Sequence, residues 1–130
     1  MHIKRMTMKD GAMIKTAVVA LTLGLGLMAA PKTYAAGGKT MTIKGEVVDL
    51  ACYLDHGARG EKHKTCAANC ISSGLPVGLL SGHKLYLVIG EHKPMNDVLA
   101  KKAAQTITLR GKVVERNGMK MIENAEIVPD

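Results

Sequence analysis

The chain has no phenylalanine and no tryptophan, and only three tyrosines among its 130 residues. A core made from it must be built of Val, Ile, Leu, Met and Ala, without the large buried area that aromatic rings supply. The same scarcity counts against single-stranded nucleic acid as a partner, because such binding stacks bases on rings. Only Tyr53 and Tyr86 remain once the first 35 residues are set aside. Covalent haem attachment is excluded, since it needs Cys-x-x-Cys-His and Cys70 is followed by Ile71. The stretch 74–80 is no phosphate loop, because the Lys and Ser/Thr that close one are missing. No Ser-His-Asp set or carboxylate pair can be assembled, so the chain reads as a binding protein rather than an enzyme.

A spanning helix is also lacking. The uncharged run 16–30 is shorter than the roughly 20 apolar residues that cross a bilayer, and it follows Lys4, Arg5, Lys9 and Lys15. Small residues at 33–37 then offer a cleavage site, so residues 1–35 are expected to be an export signal cut after Ala35. The mature protein would be periplasmic or otherwise exported, with no stable membrane insertion. Lys4-Arg5 only echoes a twin-arginine pair, which favours export of the unfolded chain. Residues 36–130 carry thirteen basic and ten acidic side chains, a net of +3 against +7 for the whole. Five of the nine methionines also fall in the signal, which removes most of the case for a methionine-rich copper carrier.

The remaining 95 residues or so suit one domain, near the size at which a metal or a disulfide often supplements the core. From Thr40 the pattern alternates, Met41 and Ile43 against Thr42 and Lys44, and Val47 and Val48 follow Gly45. This predicts a strand with a bend or bulge at the glycine. Thr42-Ile43-Lys44-Gly45-Glu46-Val47-Val48-Asp49 is echoed by Thr108-Leu109-Arg110-Gly111-Lys112-Val113-Val114-Glu115, so strand 105–115 should coil at the matching point. Between them, 84–89 alternates as a strand and 94–104 reads as a short helix that Asn96 caps. Asn117-Gly118 predicts a hairpin turn into a last strand, 119–128. The expectation is a mainly β fold: a small OB-like antiparallel barrel with a short helix carrying the site and one further helix. An open antiparallel sheet with two helices is the rival. Methionines 119 and 121 share a strand face, for which core packing is the ordinary role.

What the chain does have is Cys52, His56, His63, Cys66 and Cys70 within nineteen residues. On a helix His63, Cys66 and Cys70 would share one face, with Cys52 and His56 a separate i, i+4 pair. Thiolate and imidazole are the ligands Zn²⁺ and Cu⁺ favour. Cys52, His63, Cys66 and Cys70 would make a tetrahedral set of three thiolates and one imidazole, with His56 the substitute or fifth ligand. The ion would be copper or zinc, held for delivery, sequestration or structure, and a metal-donor or acceptor protein would be its partner. An iron-sulfur cluster is chemically possible but normally needs assembly before export. A disulfide joining Cys52 to Cys66 or Cys70 is the bland alternative, although it strands one thiol. A thiol-disulfide or redox-sensing protein is the second class, with Cys66 attacking and Cys70 or Cys52 resolving. An OB-type ligand-binding module is the third. Asp49 and Asp55 flank the cluster and suit the orienting of a histidine, whereas His83 and His92 read as solvent-facing loop residues.

Several of these stretches, Gly45-Glu46-Val47-Val48-Asp49, Cys52-Tyr53-Leu54, the His63-to-Cys70 segment, Gly74-Leu75-Pro76-Val77-Gly78-Leu79-Leu80 and the Gly111 strand, resemble a group of small exported bacterial proteins with OB-like folds. That resemblance spans nearly all of residues 36–130. It implies a fold and an exported habitat, and no activity.

Overall fold

The computed structural model describes residues 37–129, which lie within one compact unit, Tyr34–Asp130. The signal expected at 1–35 falls outside the described residues. Strand β1 (Lys39–Asp49) leads into helix α1 (Leu50–His56), a 3-10 turn (Glu61–His63) and helix α2 (Lys64–Ser72). Strands β2 (Val77–Ser81) and β3 (Lys84–Val88) follow, then helix α3 (Asn96–Leu99), extended by a 3-10 turn (Ala100–Lys102). Strands β4 (Thr106–Arg116) and β5 (Met119–Val128) complete the chain. The five strands close into a barrel in the order β1-β2-β3-β5-β4, which settles the choice against an open sheet. All pairings are antiparallel except β3 with β5.

Closure depends on β1 serving two neighbours. Residues Lys39 to Glu46 pair with β4, and Glu46 to Asp49 pair with β2. The strand must coil where the partners change, and Gly45 sits there. A Cβ at Gly45 would lie 2.7 Å from the Leu80 carbonyl oxygen and 2.9 Å from Leu79 Cγ, so no larger residue fits. The β1–β4 register runs unbroken past Gly45, so the expected irregularity is a bend and not a bulge. The matching glycine behaves differently. At Gly111 the β4–β5 register shifts by one residue, and Asn124, with φ 53°, takes up the extra residue on β5. A Cβ at Gly111 would lie 2.6 Å from Ile122 Cγ2.

This bulge sets which β5 residues face inward. Ile122 and Ala125, three apart, are both buried, while Met119 is 68% exposed and Met121 half-buried. The methionine pair therefore faces outward instead of packing in the core. Another departure is β2, a strand that the sequence pattern did not predict. Val77 to Leu80 are all buried, Leu79 in the core and Gly78 close under Leu50, Val48 and Leu85. Buried on both faces, the strand shows no alternation, and Pro76 and Gly78 disguise it further. It turns back to β3 through Gly82, at φ 58°, and His83.

The core joins Val47, Leu79, Leu109 and Ile122 of the barrel to Ala67 and Ile71 of α2 and Leu99 and Ala100 beyond. Helix α2 thus lies across the barrel, packed on β1, α3 and the following 3-10 turn. Asn96 contributes to this, though not as the expected cap. Met95 occupies the N-cap of α3 without a side-chain bond. Asn96 Nδ2 instead donates to the carbonyls of Ile71, at 2.7 Å, and Leu75, at 2.8 Å, satisfying the end of α2. Among the described residues no helix is long and apolar enough to cross a membrane.

Gly111→Ala should lower stability by about 1–3 kcal/mol, because the added methyl is forced against Ile122 inside a packed core. Gly37→Ala, where a Cβ meets nothing within 4 Å, should change nothing. Chemical denaturation of the two variants beside the parent protein checks both.

Candidate metal centre

The site begins where β1 ends. Asp49 has extended backbone angles, φ −69° and ψ 121°, and forms the N-cap of α1. Its Oδ1 accepts the Cys52 N–H at 2.7 Å, satisfying one of the open donors of the first turn. Helix α1 ends at Gly57, whose left-handed φ of 71° a glycine adopts without strain. A second positive φ, 74° at Gly60, completes the reversal, and the Gly60 N–H is anchored by Glu46 Oε1 on β1. The chain then enters α2 alongside α1.

This reversal brings Cys52 of α1 to Cys66 and Cys70, one turn apart on α2. The three Sγ atoms all lie within 4.8 Å of one another. Three thiolates at about 2.3 Å from one Zn²⁺ stand about 3.8–4.0 Å apart, so side-chain rotation alone can bring this triangle to bonding distance. Cys52 and Cys70 are half-buried, and Cys66 is exposed.

The histidines take other positions. His63 is the N-cap of α2, with φ −106° and ψ 2°, one residue before the helix that carries Cys66 and Cys70. His56 ends α1, its ring centroid 6.2 Å from that of His63 at an interplanar angle of 61°. Asp55 Oδ2 lies 3.1 Å from His56 Nδ1, so one flanking carboxylate does meet a histidine. Neither imidazole joins the three sulfurs at the 4.8 Å spacing. His83 and His92 are exposed, in the β2–β3 turn and in the loop after β3. Lys64 pairs with Glu61 at 3.1 Å on the surface.

The sequence misplaced the role of Asp49, which meets a thiol and not a histidine. Only 1% exposed, it is the one buried charged side chain among the described residues. The Asp49 carboxylate beside Cys52, together with burial, pushes the Cys52 pKa up to about 12. Cys70 is pushed up as well, by burial first and then by Cys66, although its hydrogen bond with Cys52 acts in the opposite direction. Asp-x-x-Cys before a helical run was the signal that could have placed Asp49 as a cap.

No family model, curated protein or solved structure matches the chain. Function must therefore be argued from the thiols, their carboxylate neighbour and the elements that hold them. In the reduced, metal-free protein at pH 8 the exposed Cys66 should alkylate first and Cys52 last. A pKa near 12 leaves Cys52 almost wholly protonated there, and the thiolate is the reactive form. Asp49→Asn, which removes the negative charge, should speed Cys52 modification. Timed alkylation with peptide mass mapping reads both effects.

Proposed function

We propose that this is an exported OB-type barrel that holds a thiophilic ion, copper or zinc, through Cys52, Cys66 and Cys70. The observation that carries the reading is the convergence of three sulfurs from two helices within 4.8 Å. A disulfide uses two thiols, whereas a shared cation accounts for all three. The OB reading draws on the strand order, the parallel β3–β5 pairing and the helix between β3 and β4. The exported location rests on the basic, apolar and small-residue sequence of 1–35 and on the resemblance to small exported proteins.

Copper would point to delivery or sequestration, with exposed Cys66 as the ligand that a donor or acceptor protein reaches first. Zinc would point to a structural role. Thiol-disulfide exchange is less well supported, because its nucleophile must ionise near neutral pH. Exposed Cys66 is the candidate for that nucleophile, but Cys52 and Cys70, the thiols that would resolve it, are both held toward the protonated form. Nucleic-acid binding gains nothing from Tyr86, which is buried.

Purified anaerobically without chelator, residues 36–130 should carry one zinc or copper per chain by mass spectrometry. All three thiols should resist a thiol reagent until a chelator is added. The triple variant Cys52→Ala, Cys66→Ala, Cys70→Ala should hold no ion. A metal-free product with a single titratable thiol would favour the disulfide instead.

A further inference from the structure

Asp49 Oδ2 is the one buried side-chain oxygen or nitrogen among the described residues that has no hydrogen-bond partner. Such an atom is costly inside a protein, and one that persists calls for an unseen water or ion, or for a function. Its sister Oδ1 is already committed to the Cys52 N–H. That bond ties the carboxylate to the residue that carries the first of the three converging thiols. A fourth donor is what three thiolates lack for a tetrahedral ion. His56 and His63 also fall outside the 4.8 Å group, and neither holds a buried atom without a partner.

We infer that Asp49 Oδ2 is the fourth ligand of the centre, so that the site is three thiolates and one carboxylate and its ion is a divalent one of zinc type. This rests on the three-cysteine reading above. The carboxylate lies beyond 4.8 Å from at least one sulfur, so closing the set takes side-chain adjustment. Exposed Cys66, in the first turn of α2, is the sulfur with room to move. A hard anionic oxygen suits Zn²⁺, whereas Cu⁺ favours sulfur alone. The ligand that the barrel fixes most firmly would then come from β1 itself, and its oxygen would gain a partner on loading.

Co²⁺ is the probe, because its charge-transfer absorption grows with each coordinated thiolate, and Zn²⁺ affinity follows by competition with a chromophoric chelator. The parent protein should show a three-thiolate tetrahedral Co²⁺ spectrum. Asp49→Asn keeps an N-cap oxygen and the side-chain size, and should bind Zn²⁺ about 10–100-fold more weakly. Asp49→Cys should raise the charge-transfer intensity by about one third, as a fourth thiolate replaces the oxygen. His56→Ala and His63→Ala should leave both readouts unchanged. If Asp49→Asn bound like the parent, the assignment to Asp49 would be overturned and the three-cysteine site would stand, with loss of the ion in a histidine variant naming the fourth ligand instead. Should the parent show no thiolate band at all, the three-cysteine reading falls, and this inference with it. Were Asp49→Cys to misfold, the affinity of Asp49→Asn would decide alone.

Discussion

The position of Asp49 is fixed twice, and the geometry of the thiols follows from it. As the last residue of β1 it pairs with Val77 of β2, and the next amide, Leu50 N–H, still reaches the Pro76 carbonyl at 2.9 Å. As N-cap of α1 it bonds the amide of Cys52. One carboxylate therefore ends a strand, starts a helix and holds the backbone of the first cysteine. The barrel wall sets its place, and the capping bond sets the direction in which α1 leaves the wall.

The other half of the site is held with comparable care. Helix α2 buries Ala67 and Ile71 in the core and carries Cys66 and Cys70 on the flank beside them. Asn96 ties down the end of α2, while Glu46 holds the loop at its start through Gly60. Both anchors come from elements outside the helix pair. Because Glu46 lies three residues before Asp49 on β1, the same strand controls the approach of α1 and of α2. A site so fixed gives up little conformational freedom on binding, which is the usual source of affinity in a preorganised centre.

Much of this was legible in the sequence wherever a local rule governed. Alternation located β1, β3 and β4 within a residue or so, and Asn117-Gly118 located β5 at Met119–Val128. The cysteines were singled out by spacing alone. Other features were set by tertiary contacts that no local pattern reports. Strand β2 is buried on both faces, so Val77 to Leu80 never alternate. The equal motifs around Gly45 and Gly111 diverge because one glycine faces a change of partner strand and the other an extra residue on β5. Asn96 looked like a cap by its position, yet its amide serves a helix end 25 residues earlier. Of the expected face of His63, Cys66 and Cys70, the two cysteines lie on α2, and His63 stands one residue before it and outside the group of three sulfurs.

The unequal exposure of the three thiols bears on how an ion would enter and leave. Cys52 and Cys70 are half-buried beside a buried carboxylate, and both are held toward the protonated form when no ion is present. A bound cation reverses that balance by favouring thiolate, so loading must release protons to solvent. Cys66, exposed at the start of α2, is the thiol that an incoming ligand reaches first. An ion arriving from solvent therefore meets Cys66 before Cys52 and Cys70.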